Sequence, residues 1–289
     1  MEYTIDGKTI LTGLLGHPVA HSISPKMHNE AFQKLGLNYC YLAFDILPDQ
    51  LPSALDGMKA MNIRGFNLTM PLKTAVIPYL DELSQASLLS NSVNTIINDN
   101  GKLIGHTTDG IGYMNSVKDA GVDIIGKKIC LLGAGGAATS ICTQAAIDGV
   151  SEIILCKRKN ASYDSVVAFA HKVSQATNCY VHVIDMNDTR LLAQEIANSY
   201  ILINATNVGM GTDAHSPIPK EFLRPDLIVS DIIYDPRMTT LLKDAAEMGC
   251  TYFNGMYMLL FQGAESFRLW TNHMMPIEHI KKICFTQED

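Results

Sequence analysis

The chain has 289 residues, 47% hydrophobic and 18% charged, the composition of a globular protein with room for one large or two medium domains. Its 22 basic and 29 acidic residues give a net charge of −7, which argues against nucleic acid or an anionic membrane as the main partner and confines any phosphate binding to a local site. No apolar run approaches the ~20 residues of a membrane span, and the opening MEYTIDGKTI has neither the basic nor the apolar part of a secretion signal, so a cytoplasmic protein is expected.

In chain order, ILTGLLG and YLAFDI read as strands. Between them Pro25 opens a helix whose Met27, Ala31, Phe32 and Leu35 share one face. GFNLT and VNTIIND follow as two more strands, and the Asn-Gly pair in DNGK predicts a hairpin that pairs VNTII with KLIG. From about residue 110 a helix leads into a stricter alternation: strand 128–132, helix 136–149, strand 152–156, helix 163–177, strand 180–184. YILINAT and LIVSDIIY supply two later strands, and the end of the chain, Tyr257 to Trp270 and Pro276 to Ile283, is helical. Alternation of this kind predicts an α/β protein. The expected organisation is an N-terminal α/β domain, residues 1–111, completed by helices in 255–289, with a Rossmann-like NAD(P)-binding domain at 112–254.

GAGGAA, residues 133–138, follows a continuous apolar strand and precedes a helix, the context that the dinucleotide fingerprint requires. Gly133 permits the tight turn, while Gly135 and Gly136 let the backbone approach a pyrophosphate at the helix N-terminus. Ala134 and Ala137 lie in the same turn, and Ala138 stands where close helix–strand packing wants a small residue. At the end of the next strand an NAD-selective site carries a carboxylate for the ribose 2′-hydroxyl. Here that end reads Cys156-Lys157-Arg158-Lys159, cations that suit a 2′-phosphate or serve as a solvated loop; NADP is the favoured cofactor and NAD the alternative.

Five places in the first part and the C-terminal helices hold polar residues that secondary structure alone does not require: HPVAHSISPKMHN, NLTMPLK, SVNT, GHTTDGIG and Gln262 in MLLFQGAE. Each has an ordinary explanation. Ser24 can be an N-cap and Ser22 a turn residue, Asp109 can cap a helix, Asn94 can end a strand, and His21 and His28 read as structural. Lys73 at a helix start opposes the macrodipole, which hints at another task. The seven cysteines have no CxxC spacing and read as buried thiols, and no metal site is expected because His, Cys, Asp and Glu do not cluster with ligand spacing.

Taken together these stretches resemble the shikimate dehydrogenases, most closely the quinate/shikimate dehydrogenase branch. The resemblance runs through GHPVAHSISPKMHN, NLTMPLK, SVNT, the Thr-Asp-Gly of GHTTDG, GAGGAA, NATNVGM, DIIYDPRMTTLL and GMYMLLFQGAE, in family order over nearly the whole chain. It implies reversible NAD(P)-dependent reduction of 3-dehydroshikimate to shikimate, or oxidation of quinate, by a monomer or homodimer. It also implies that Lys73 and Asp109 are the catalytic pair and that Ser22, Ser24, Thr69, Asn94, Tyr234 and Gln262 bind substrate. By the same resemblance Asn204, Thr206, Gly255 and Met258 lie near the cofactor and Tyr39 near an extra ring hydroxyl. Lys73 would carry the proton, Asp109 would orient its amine, and Asn67 would brace the loop by backbone hydrogen bonds. Thr107 stands where the family usually has Asn, and the Lys-Arg-Lys strand end lacks the family's common Asn-Arg start. Other readings remain open: a dehydrogenase of the same fold for an amino analogue of shikimate, a non-catalytic regulator that binds dinucleotide and a metabolite, or a purely structural domain.

Overall fold

The computed structural model describes residues 5–285. In chain order its elements are β1 (Ile10–Gly16), α1 (Ser24–Leu35), β2 (Tyr39–Asp45), α2 (Leu51–Ala60), β3 (Gly65–Leu68), α3 (Leu72–Ala75), β4 (Glu82–Leu83), α4 (Gln85–Ser90), β5 (Thr95–Asp99) and β6 (Lys102–His106). There follow α5 (Asp109–Asp119), β7 (Lys128–Leu132), α6 (Gly136–Asp148), β8 (Glu152–Lys157), α7 (Tyr163–Ala176), β9 (Tyr180–Asp185), α8 (Thr189–Ala197), β10 (Ile201–Asn204), β11 (Ile228–Asp231), α9 (Thr240–Glu247), β12 (Thr251–Phe253), α10 (Met256–Thr271) and α11 (Ile277–Ile280). They form two compact units, Met1–Thr108 with Leu260–Asp289, and Asp109–Leu259. The second unit begins at Asp109 because α5 packs on α6 so closely that a Cβ on Gly110 would stand 2.3 Å from the Ser140 carbonyl oxygen.

The sheet of the first unit runs β2-β1-β3-β5-β6-β4. β1 pairs parallel with β2 and β3, β5 is antiparallel to both β3 and β6, and β4 is parallel to β6. The Asn-Gly hairpin forms as expected: Asn100 (φ 54°) and Gly101 (φ 93°) are both left-handed, and Asp99 faces Lys102 across the ladder. Leu15, Phe66, Leu68, Val93, Ile96 and Leu103 pack with Leu51, Leu55 and Met58 of α2 to make this unit's core. In α1, Met27, Ala31 and Phe32 are buried, but Leu35 is 39% exposed; it sits in the last turn, one residue before the left-handed Gly36 that ends the helix.

From Leu260 onward α10 belongs to the first unit and is pinned there by Trp270. Its indole N–H donates to the Ile96 carbonyl (3.0 Å), and its own carbonyl accepts from Arg64 Nε (3.0 Å). Gly65 makes room for the ring, since a Cβ there would lie 2.1 Å from Trp270 Nε1.

In the second unit the sheet runs β12-β11-β10-β7-β8-β9, parallel throughout. This is the doubly wound order, in which the chain starts at β7 and reverses direction between β7 and β10. Continuous apolar strands are what two covered faces demand: Ile129 and Leu131 of β7 enter one core cluster, Cys130 and Leu132 the other. All seven cysteines are free, but Cys40 and Cys284 are only partly buried, against the expectation for every thiol; each lies near the edge of its unit's packing rather than in a central strand.

Candidate active site

In the first unit the polar residues gather at one end of the sheet. The end of β1, the end of β3, the start of β5 and the end of β6 meet there because β5 runs opposite to its neighbours. Backbone hydrogen bonds fasten the turn after β3: Thr69 N–H to the Leu15 carbonyl (3.0 Å), Leu68 N–H to Asn94 (2.8 Å), and Val93 N–H to the carbonyl of Lys73 (2.9 Å). Lys73 thus sits in the first turn of α3, held by its own backbone beside the start of β5, with Pro71 at the N-cap. Its side chain is half-buried.

Below this edge lies a web of buried polar groups. Asn67 Nδ2 donates to the Asn94 carbonyl (3.1 Å), Thr95 Oγ1 (3.0 Å) and Ser266 Oγ (2.9 Å), while its Oδ1 accepts from the Tyr41 hydroxyl (2.9 Å). Asn94 donates to Thr108 Oγ1 (2.9 Å) and Gln262 Oε1 (3.4 Å) and accepts from Thr108 N–H (2.7 Å). Among the described residues the Asn67 side chain thus ties the end of β3 to β2, β5 and α10, and the loop at 69–73 is held instead by its own backbone hydrogen bonds. Ser24 is not the N-cap: it is the first helical residue, and its N–H donates to Ser22 Oγ (3.2 Å). Tyr39, on edge strand β2, stacks on Phe32 at 5.1 Å and donates from its hydroxyl to the Trp270 carbonyl at 3.5 Å.

In the second unit the glycine turn follows β7 at the point where the winding reverses. Gly133 has φ +105°, a conformation that L side chains rarely adopt, and its N–H donates to the Cys156 carbonyl (2.8 Å). A Cβ there would also press on the Ala205 carbonyl oxygen at 2.8 Å. Gly135 and Gly136 differ: a Cβ at either would meet no protein atom within 4 Å. The space beside them is left open by the protein, at the N-terminus of the 13-residue α6, and a dinucleotide pyrophosphate fits it. Ala134 and Ala137 are half-buried on either side.

Lys157 ends β8 half-buried and Arg158 is exposed. The register also brings a carboxylate here that spacing along the chain does not reveal: Asp185 of β9 pairs with Lys157, and its Oδ1 accepts from Lys159 N–H (3.3 Å). Thr206 follows β10, its N–H and hydroxyl both donating to Asn204 Oδ1 (3.1 and 2.7 Å). Tyr234 is 47% exposed in the loop after β11. Gly255 and Met258 are closed in by protein. A Cβ on Gly255 would overlap the Ile232 carbonyl at 1.8 Å, and Met258 lies in a core cluster with Tyr113 and Ile129. Asp109, the first residue of α5, is 7% exposed.

A family model for the shikimate dehydrogenase substrate binding domain matches residues 14–96, and one for the shikimate 5′-dehydrogenase C-terminal domain matches residues 255–284. A shikimate dehydrogenase (NADP(+)) of Listeria innocua is 50% identical over 283 residues, 97% of each chain. The chain belongs to the shikimate dehydrogenase family. A quinate/shikimate dehydrogenase of Escherichia coli is 42% identical over 96% of this chain and 98% of its own. Among solved structures, a shikimate 5-dehydrogenase from Listeria monocytogenes in complex with shikimate and NAD is 49% identical and superposes with a TM-score of 0.95 over 99% of both chains.

This shikimate dehydrogenase family member carries functional groups that sequence reasoning overlooked. Ser266, fully buried, hydrogen-bonds Asn67, Thr95 (2.8 Å) and Thr108 (3.3 Å) at once, and the buried Tyr41 hydroxyl donates to Asn67; single polar residues of this kind carry no pattern to read. Asp231, fully buried at the end of β11, is a third. The sequence shows no ligand spacing among His, Cys, Asp and Glu, but the fold brings three such residues together. Glu152, His182 and Glu195 converge from β8, β9 and α8, brought together by register rather than by spacing. Lys128 lies 3.0 and 2.8 Å from the two carboxylates and supplies the positive charge that a cation would bring.

Proposed function

We propose that this chain catalyses the reversible NADP-dependent reduction of 3-dehydroshikimate to shikimate. The observation that carries the reading is the near-complete overlap with a structure holding shikimate and NAD, supported by the open ground beside Gly135 and Gly136 and the polar web in the other unit. Bound nicotinamide supplies or accepts the hydride. Turnover then needs a group that gives the ketone oxygen a proton in one direction and takes it back in the other. Lys73 has that role, since an amine can release its proton where a guanidinium cannot, and the buried carboxylate of Asp109 is the second member of the pair.

Ser22, Ser24, Thr69, Asn94 and Gln262 hold the substrate's hydroxyls and carboxylate, with Tyr234 as a further contact. Residues 133–137 and the start of α6 hold the pyrophosphate, Lys157 and Arg158 the 2′-phosphate, and Thr206 the nicotinamide end; Gly255 and Met258 act through the shape they give the backbone. Asp185 beside Lys157 favours NAD as the second cofactor. Quinate is the second substrate to try, and an amino analogue of shikimate the third.

The test is absorbance at the nicotinamide band with shikimate or quinate, each with NADP⁺ and NAD⁺. Rapid reduction of NADP⁺ by shikimate is expected. Faster turnover with quinate would reassign the substrate, preference for NAD⁺ would make Lys157 and Arg158 solvated charges, and silence in all four mixtures would sink the assignment.

A further inference from the structure

The reversal of winding in the second unit lies between β7 and β10, and ligands of doubly wound sheets bind outside the carboxyl ends of the strands at that point. The chain leaving β10 there forms no helix. Its shape is set by side chains: Asn204 Oδ1 accepts from Thr206 N–H and hydroxyl, Asn204 Nδ2 donates to the Val208 carbonyl (3.3 Å), and Thr206 Oγ1 accepts from Val208 N–H (3.1 Å). Asn204 is itself held by Asp231, whose Oδ1 accepts from its Nδ2 at 3.1 Å.

Asp231 is fully buried and takes two further donors, Ile233 N–H to Oδ1 (3.0 Å) and the Thr239 hydroxyl to Oδ2 (2.8 Å). Thr239 in turn caps α9 through Leu242 N–H (3.3 Å). One carboxylate therefore ties together the irregular segments that leave two adjacent strands, 205–208 and 232–239. A buried carboxylate is costly unless fully hydrogen-bonded, and burial raises the pKa of Asp231 against the effect of its donors. A carboxylate that served only to start α9 would not need the link to Asn204.

We infer that Asp231 is a positioning residue for dinucleotide binding: through Asn204 it fixes the backbone around Thr206 against which the cofactor lies. The inference rests on the dinucleotide reading of this unit. Because it works by hydrogen bonds, an amide of the same shape replaces it: Asp231→Asn keeps the acceptor for Asn204 and Ile233 and turns its NH₂ toward Thr239.

NADPH fluorescence titration of the purified full chain tests this without turnover. Asp231→Ala is expected to weaken NADPH at least tenfold and Asp231→Asn less than threefold. In a Thr206→Val background Asp231→Ala should add less than threefold. NADPH affinity of the wild type in Asp231→Ala overturns the inference, as does Asp231→Asn falling with Asp231→Ala, or an undiminished loss in the Thr206→Val background. Should Asp231→Ala fail to fold, Asn204→Ser cuts the link while leaving Asp231 its other donors: a fivefold or greater loss supports the inference and unchanged affinity overturns it. A wild-type chain that does not bind NADPH overturns the dinucleotide reading itself, an outcome distinct from all of these.

Discussion

Lys73 and His28 show how different two polar residues of one sequence can be. Lys73 is placed by backbone hydrogen bonds and left half-buried; Lys73→Ala is expected to lower kcat about 10²–10⁴-fold, the range for a lost acid/base group, with NADPH affinity unchanged, as steady-state rates beside a fluorescence titration will show. His28 reads in the sequence as a satisfied structural histidine, and the structure gives it the burial but, among the described residues, not the hydrogen bonds. It is fully buried, stacks on Tyr41 at 4.4 Å, and lies within 6.2 Å of Phe32, Phe267 and Trp270, with no partner on either ring nitrogen among the described residues. Burial holds its pKa down to about 3. The unfolded chain, with its histidine near 6.5, binds the extra proton between those two values. The stability is thus fully present above the unfolded value and is lost as pH falls from about 6.5 toward 3, with a slope approaching ~1.4 kcal/mol per pH unit. Urea midpoints at pH 7 and pH 5 check this: His28→Phe should show a smaller drop than the wild type, and an equal drop refutes it.

At the scale of elements, Gly135 in the glycine turn and Gly255 ahead of α10 are two kinds of glycine that look alike in sequence. Gly135 has φ −80°, open to any residue, and no neighbour within 4 Å of a Cβ. Gly135→Ala is expected to leave the melting temperature within about 1 °C and to weaken NADPH tenfold or more. At Gly255 the Ile232 backbone already fills the Cβ position, so Gly255→Ala should lower the melting temperature by several degrees, as calorimetry on both variants will show. Strands β7, β8 and β10 were readable because continuous apolar runs have few other uses, and the hairpin because Asn-Gly accepts left-handed backbone. Helix α3 shows in the sequence only as the helix start at Lys73, and Ser266, Tyr41 and Asp231 not at all. Each is one polar residue whose meaning comes from partners remote in the chain: Ser266 lies 199 positions from Asn67.

For the whole molecule, the proposed cofactor groups and most of the proposed substrate groups fall in separate compact units. NADPH alone should therefore slow amide hydrogen exchange at residues 133–139 and 205–208, and shikimate alone at 67–73 and 93–95; the reverse pattern would refute the division of labour. The order of the chain adds a consequence for biosynthesis. The first unit starts ahead of the second in the chain, yet Asn67 and Ile96 wait for Ser266 and Trp270, which the ribosome makes after the whole of the second unit. Domains generally fold in order of synthesis, but here the contiguous second unit is complete first. Nascent chains stalled before Leu260 should hold a finished nucleotide fold beside a first unit with its tryptophan slot empty, so the unit that is started earliest is the one that closes last.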